Sequence, residues 1–393
     1  MSTPWTIPWT PPWTLTDRTV ERADEADREI RISDFALLSL LPVRSITVAG
    51  FPLNELAIVV LIGLCLFRQP RGGARLPAPV VLTVGGLLAV LTYSGVENSV
   101  EWTRRVGHMV IMAGLIWAGG TGRLSLRSAG AGLAAGFVVV IGLASAGVGG
   151  DTYGDRLTGY LADPNAGAYF IAVGGILAIF FCDERTKVRL AVAVPIVTGL
   201  VLTYSRTGLL AGAFALLWLA LGRKLGQVAG TALALAMVWF VNNVPESLTT
   251  FGPFSDRSGS DRLRERIIAQ EKVELIGVPW YGHGPGTATV EIRDLTFFFH
   301  NSYLATRQEG GWAALALILL LLAYCFLVVS HQSRQGDLMA AACQAAIIGT
   351  AAMAITLGEV LLDTPVSVVV AFVLGHALRT APERASPEEP PDG

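Results

Sequence analysis

The stretch GWAALALILLLLAYCFLVVS (residues 311–330) decides the fold class, because it holds twenty residues without a charged side chain. A helix needs about 20 predominantly apolar residues to cross the hydrocarbon core of a bilayer. The rest of the chain is similar: 52% of its 393 residues are hydrophobic and 15% are charged, whereas soluble domains carry roughly 25% charged residues. The sequence therefore predicts an all-α protein that crosses a membrane several times.

Eleven other apolar segments accompany this stretch, so about twelve transmembrane helices are predicted. The first two segments are short and contain or flank Pro42 and Pro52. A broken pair is therefore the alternative to two full spans at that point. The predicted segments are residues 35–48, 53–67, 79–94, 105–120, 129–148, 165–181, 189–203, 207–222, 226–242, 311–330, 338–357 and 363–379.

The apolar segments divide the chain into five parts. A Pro/Trp-rich tail with a short charged segment covers residues 1–34, and helices one to nine cover 35–242. A long loop that is partly helical covers 243–310, and helices ten to twelve cover 311–379. Residues 380–393 are rich in Pro and Glu, a composition typical of disorder.

Small residues inside the segments are predicted to pack helices together. Gly132/Gly136 and Gly208/Gly212 have the four-residue spacing that lets two helices approach closely. The cysteines show neither metal-type nor disulfide-type spacing, so they are predicted to be packing residues: Cys65, Cys182, Cys325 and Cys343.

The distribution of arginine and lysine predicts the orientation. Short cytoplasmic loops carry an excess of these residues, and alternate loops of this chain are basic. Both termini are then cytoplasmic, and residues 243–310 face outward. The basic loops hold Arg68, Arg71, Arg75, Arg123, Arg127, Arg185, Lys187, Arg189, Arg223, Lys224 and Arg334.

Several arginines lie on the outer side despite this rule. Arg206 sits in the short turn TYSRT (residues 203–207) between two apolar segments, and Arg104 and Arg156 lie near other outer ends. A buried guanidinium usually has a partner, and its planar fork matches phosphate oxygens. These arginines are candidate pyrophosphate ligands. The alternative for Arg206 is a side chain that reaches the interface or pairs with a local carboxylate.

The long loop offers two more candidate ligands. A helix is predicted from about Ser260 to Ile276, and Arg262 and Arg266 are four residues apart on one of its faces. Together they could grip a pyrophosphate, while a solvated helix with pairs such as Asp261–Glu265 is the alternative. The following GHGPG (residues 282–286) lacks the lysine of a phosphate-binding loop, so a tight turn is predicted there.

His300 is the candidate catalytic base. It ends the long polar loop directly before the apolar run, and Glu309 follows nine residues later. An imidazole at a membrane–water boundary can exchange protons with a substrate. Glu309 could orient that imidazole or bind acceptor hydroxyls, or it could simply be a carboxylate favoured at a helix start. A capping or interface histidine is the structural alternative for His300.

Five stretches together resemble the O-antigen ligase and polymerase superfamily. TYSRTG (residues 203–208) resembles its Ser-Arg turn, and GSDR (259–262) with GHGPG resembles its outer-loop helix and glycine turn. HNSYL (300–304), with Glu309 and Gly311, is similar to its His-Asn signature, although Ala314 stands where the signature often has Gly, Thr or Tyr. Asp163-Pro164-Asn165 resembles a segment at the start of a span. The likeness covers roughly residues 150–330.

The resemblance implies a membrane glycosyltransferase of the C type in a bacterial cytoplasmic membrane, with its active site on the outer face. The donor would be a glycan on a polyprenyl pyrophosphate lipid, and the acceptor a hydroxyl on a glycan or lipid-linked molecule. It implies no cofactor and no metal. Attack opposite the leaving group would invert the anomeric carbon. Ligases and polymerases share these features.

A transporter or flippase of anionic lipid-linked saccharides is the alternative from another class. Twelve spans with interior arginines suit it too, but no two related halves are visible in the chain. The net charge of −2 gives no indication of a nucleic-acid partner.

Overall fold

The protein is a helical bundle with two small hairpins. The computed structural model describes residues 30–71, 74–150, 153–154, 156–225, 227–242 and 258–380, and 70% of it is helical. The helices are α1 (Ile32–Ser39), α2 (Leu53–Leu66), α3 (Ala78–Glu97), α4 (Thr103–Gly120), α5 (Leu126–Ser145), α6 (Pro164–Phe181), α7 (Thr186–Leu202), α8 (Arg206–Leu221), α9 (Gln227–Asn242), α10 (Ser258–Glu274), α11 (Ser302–Val328), α12 (Ser330–Arg334), α13 (Leu338–Met353) and α14 (Thr364–Arg379). The antiparallel hairpins are β1 (Thr47–Val48) with β2 (Phe51–Pro52) and β3 (Thr289–Ile292) with β4 (Leu295–Phe298).

Each predicted apolar segment overlaps a helix, but fewer of them qualify as membrane spans than predicted. Within the described ranges, α3, α5, α6 and α11 are long and apolar enough to cross a membrane. Five other apolar helices are shorter, at 10–17 residues: α2, α8, α13, α14 and the Val228–Phe240 part of α9. The structure therefore supports a helical protein with membrane-spanning segments, and the count of twelve spans stays a prediction.

The first predicted segment, 35–48, is not a full helix. Helix α1 ends at Ser39, three residues before Pro42, and the chain then forms the β1–β2 hairpin. The hairpin turns at Ala49 and Gly50, which both have positive φ, as a two-residue hairpin loop requires. The break suggested by the prolines is therefore present, and it brings residues 42–52 to one end of the bundle.

The centre of the bundle is formed by helices that are apolar all round. Helix α14 is buried along almost its whole length, and α6 and α13 have few exposed side chains. A helix with no polar face must be covered on every side. Helices α4 and α5 cover this centre together with α8. The four cysteines are buried and unbridged, as predicted.

The glycine pairs do pack helices together. A Cβ at Gly132 or Gly136 of α5 would collide with the backbone carbonyl of Phe35 or Ser39, so α1 lies directly on the backbone of α5. In α8, a Cβ at Gly208 would lie 2.7 Å from Cβ of Ala168. Close approach of backbones at small residues is the expected basis of such contacts in a membrane.

Gly136→Ala is expected to destabilise the protein, because its methyl group must push α1 away from α5. Overpacking of this kind typically costs about 1–3 kcal/mol. Gly142 lies on the same helix and faces open space, so Gly142→Ala is the matched control and should not lower stability. Thermal unfolding in detergent measures both variants, and equal melting temperatures would show that this contact is unimportant.

The helices meet at two ends with different character. The polar end is formed by residues 42–52, 98–102, 156–163, 203–205, 275–301 and 354–363. Contacts between distant segments hold it together: Arg44 N–H donates to Tyr160 O at 2.8 Å, and Leu157 N–H to Leu202 O at 2.9 Å. The opposite end consists mostly of short turns such as 121–125 and 182–185.

The glycine turn packs on a break in α11. Gly311 has φ 66° and ψ −167° inside that helix, a region open essentially to glycine alone. The N–H of Ala313, which the break frees, donates to Trp280 O at 3.2 Å, and Gly284 N–H donates to Glu309 O at 3.1 Å. The tight turn predicted for residues 282–286 is therefore confirmed, and it docks against α11.

Candidate functional site

His300 lies between β4 and α11, where neighbouring residues fix the backbone. Asn301 caps α11 by accepting from the N–H groups of Tyr303 and Leu304 at 3.0 and 3.2 Å. The hydroxyl of Ser302 accepts from the N–H of Leu361 at 2.9 Å. Two residues of the His-Asn signature thus anchor the helix start and the 354–363 loop, and they hold His300 at the polar end.

The loop helix α10 supports His300 from the other side. The backbone N–H of His300 donates to Oε1 of Glu271, whose side chain is fully buried. Burial raises the pKa of Glu271. Ile267, one turn earlier, is also buried and belongs to a small core with Phe299 and Val290.

The electrostatic surroundings keep the imidazole neutral. Burial, helped by the nearby guanidinium of Arg264, lowers the pKa of His300 to about 4, and the carboxylate of Asp163 acts weakly in the opposite direction. An unperturbed histidine has a pKa near ~6.5. At neutral pH the His300 ring therefore has a lone pair available to accept a proton.

The arginine that faces His300 on α10 is Arg264. Arg266 is exposed to solvent, and the side chain of Arg262 lies outside the described residues. The buried positions Ile267 and Glu271 define the inward face of the helix, and Arg264 is three residues before Ile267 on that face. The roles predicted for Arg262 and Arg266 stay predictions, and Arg264 is an additional candidate that the sequence analysis did not name.

A second arginine joins the group through the start of α6. Asp163 caps α6 by accepting from the N–H groups of Asn165 and Ala166, both at 2.8 Å. Arg156 donates to Asn165 Oδ1 at 2.8 Å and to Thr203 O at 2.9 Å. We call His300, Arg264, Asp163, Asn165 and Arg156 the His300 cluster.

Arg206 lies beside this cluster as the first residue of α8. Ser205 caps that helix by accepting from Gly208 N–H, and Arg206 is half-buried. The next residue, Thr207, is hydrogen-bonded to Thr356 at 2.7 Å, and Thr356 belongs to the loop that Ser302 anchors. The turn at 203–207 and His300 therefore lie at the same end of the bundle.

Four of the helices that begin at the polar end are capped by side chains. Asp163, Ser205, Asn301 and Asp363 cap α6, α8, α11 and α14 respectively. The N-terminus of a helix carries a partial positive charge, which favours an anion. This end of the bundle therefore combines helix dipoles with the arginines of the His300 cluster.

A large cavity of about 950 Å³ opens next to the cluster. Phe299, Ala305 and Gly358 lie in its wall, so the wall passes immediately beside His300. His300 itself is not among the lining residues. The charged and titratable lining residues are Arg44, Glu55, Glu101, Arg104, Arg105, His108, Glu309, Glu359 and Asp363.

Two of the predicted site residues line this cavity. Glu309 is buried, and its carboxylate accepts from Nε of Arg105 at 3.3 Å, so its partner is an arginine. Arg104 is exposed in the cavity wall. The structure thus groups Arg156 and Arg206 near His300, and Arg104 with Glu309 in the adjoining cavity.

Sequence reasoning missed the ion pairs of the cavity. Arg44 pairs with Asp363 at 2.9 Å, and His108 pairs with Glu55 at 3.1 Å. The partners are 319 and 53 residues apart, so no local pattern indicates the pairing. The only signal was the presence of charged residues at the ends of apolar segments.

The described ranges contain no group of three or more His, Cys, Asp or Glu side chains that could hold a metal ion. No protein-family model and no curated protein matches the chain.

Proposed function

We propose that this protein is a membrane glycosyltransferase that moves a glycan from a polyprenyl pyrophosphate donor to an acceptor hydroxyl. The observation that carries the proposal is the His300 cluster, in which a neutral imidazole lies with two arginines beside a large polar cavity. The proposal includes about twelve spans, cytoplasmic termini and a polar end on the outer face of the bacterial cytoplasmic membrane. This activity is that of the O-antigen ligase and polymerase superfamily.

Arginines near the helix starts stabilise the leaving group. When the bond between the anomeric carbon and the pyrophosphate oxygen breaks, its electron pair stays on that oxygen as negative charge. Fixed cations directed at that charge stabilise the transition state more than the ground state. Arg206, Arg156 and Arg264 fill this role, and each charge-assisted hydrogen bond contributes roughly 1.5–3 kcal/mol. Because Arg264 lies near His300, it joins Arg262 and Arg266 as a candidate on α10.

His300 accepts the proton of the acceptor hydroxyl as that oxygen attacks the anomeric carbon. The low pKa keeps the imidazole neutral at working pH, so it can take a proton without first losing one. The protonated ring then returns the proton to water or to the departing pyrophosphate. Attack from the side opposite the leaving group inverts the anomeric carbon.

The test is a transfer assay with purified protein in detergent, a radiolabelled glycan on polyprenyl pyrophosphate and a mixture of candidate acceptors. A covalent product that forms only with active protein supports the proposal. Movement of the labelled lipid across a vesicle membrane without product would assign the chain to carriers instead.

Arg206→Lys is expected to lower kcat about tenfold or more with little change in folding. A lysine keeps the charge but replaces the planar fork, so one of two hydrogen bonds to phosphate is lost. Arg293→Lys is the matched control, because Arg293 is exposed in the tight turn of the β3–β4 hairpin. If Arg206→Lys matches the parent in kcat and KM, Arg206 does not bind the pyrophosphate.

A further inference from the structure

The cavity beside the His300 cluster has an acidic surplus. Five carboxylates line it, against three guanidiniums and one imidazole. A lining in which carboxylates outnumber guanidiniums disfavours a pyrophosphate, which suits the arginines of the His300 cluster better.

Several charges of the wall are already paired with one another. Arg44 Nη2 lies 2.9 Å from Asp363 Oδ2, and Arg105 Nη1 lies 3.4 Å from Glu359 Oε1. Arg105 also contacts Glu309. Guanidinium donors and carboxylate acceptors therefore lie side by side in the wall. Nη1 of Arg44 is buried and has no hydrogen-bond partner among the described residues.

A wall in which donors and acceptors lie side by side suits a ligand rich in hydroxyl groups. A hydroxyl both donates and accepts, so it can bond to a guanidinium and a carboxylate together. An uncharged ligand also leaves the existing ion pairs balanced, whereas a charged one would have to break them. Lining residues such as Phe51, Phe298 and Ile111 add apolar surface, which can cover the C–H face of a sugar ring.

The size of the cavity points to several sugar units. Its volume of about 950 Å³ is at the upper limit of the 300–1,000 Å³ that is usual for ligand pockets. We propose that this cavity binds an uncharged oligosaccharide, with one end of the chain directed past Phe299 to His300. Whether this oligosaccharide belongs to the donor or to the acceptor is a question that rests on the proposed transferase function. The binding itself does not depend on that function.

Gly107 allows the cavity to be filled without disturbing the fold. It lies in α4, lines the cavity and has no atom within 4 Å of an added Cβ. Gly107→Trp therefore places an indole ring in the cavity from a position within a regular helix. Gly85→Trp in α3 is the matched control, because Gly85 also faces open space and is not a lining residue.

The experiment measures binding of uncharged oligosaccharides of two to six sugar units to the purified protein by saturation-transfer NMR. We expect binding to the parent and to Gly85→Trp, at least tenfold weaker binding to Gly107→Trp, and no displacement by inorganic pyrophosphate. No binding to the parent, equal binding to both variants, or displacement by pyrophosphate overturns the inference.

Transfer assays separate this inference from the proposed function. A parent protein that transfers glycan but binds no uncharged oligosaccharide retains the function and loses the inference. A parent protein that binds oligosaccharide but transfers no glycan retains the inference and loses the proposed function. The bound oligosaccharide should inhibit competitively against either donor or acceptor, which identifies its source.

Discussion

Gly311→Ala is expected to prevent the protein from reaching its folded state. The backbone at Gly311 lies in a region that costs other residues about 1–3 kcal/mol. In addition, the new methyl group would overlap the carbonyl of Trp280 and lie 2.6 Å from the backbone nitrogen of Gly282. Neither neighbour can move easily, because both belong to the turn that docks on α11. A combined loss above about 4 kcal/mol is expected, a large part of the 5–15 kcal/mol that stabilises a typical protein.

Gly277→Ala separates the two causes of this loss. Gly277 also has a positive φ of 80°, but a Cβ there would meet nothing within 4 Å, so only the backbone strain of about 1–2 kcal/mol remains. Size-exclusion chromatography in detergent after stepwise heating gives the folded fraction of each variant. If Gly311→Ala survives heating as well as Gly277→Ala, the docking of the turn on α11 is not needed for folding.

The helices of this fold were predictable because their signal is local. An uninterrupted apolar run such as 311–330 indicates a helix without reference to any other part of the chain. The ends of these helices were harder to predict. Segment 35–48 has enough apolar residues for a helix, yet Pro42 and the turn at Ala49 and Gly50 redirect it. The β3–β4 hairpin was also missed, because four-residue strands have little periodicity to detect.

The site was predictable only where one residue marks a helix start. His300 and Asp163 precede helices, and capping residues and prolines indicate helix starts in the sequence. The face that α10 turns inward depends on what Ile267 and Glu271 touch in the folded protein. The spacing of Arg262 and Arg266 predicts a shared helix face, but it does not reveal that Arg264 lies near His300. Pairs such as Arg44–Asp363 depend on tertiary structure entirely.

His300→Ala should lower kcat of glycan transfer by about 10²–10⁴-fold, the usual contribution of a positioned base. The loss should leave folding intact, since the half-buried ring makes no hydrogen bond to a described residue and the contact to Glu271 comes from the backbone. His331→Ala is the matched control, because His331 is exposed at the opposite end of the bundle. Unchanged kcat in His300→Ala would remove the imidazole from the mechanism.

The pH dependence of kcat/KM identifies His300 more directly, because it reports the titration of the base in the free protein. Only the neutral ring accepts a proton, and its pKa is lowered to about 4. The parent should therefore keep its activity from pH 7 to about 5 and lose it as the pH falls through 4. Arg264→Gln removes a positive neighbour, which raises the pKa of His300 and moves this loss to higher pH, whatever its effect on the rate. If the loss of activity stays at the same pH in Arg264→Gln, the group that titrates is not the imidazole beside Arg264.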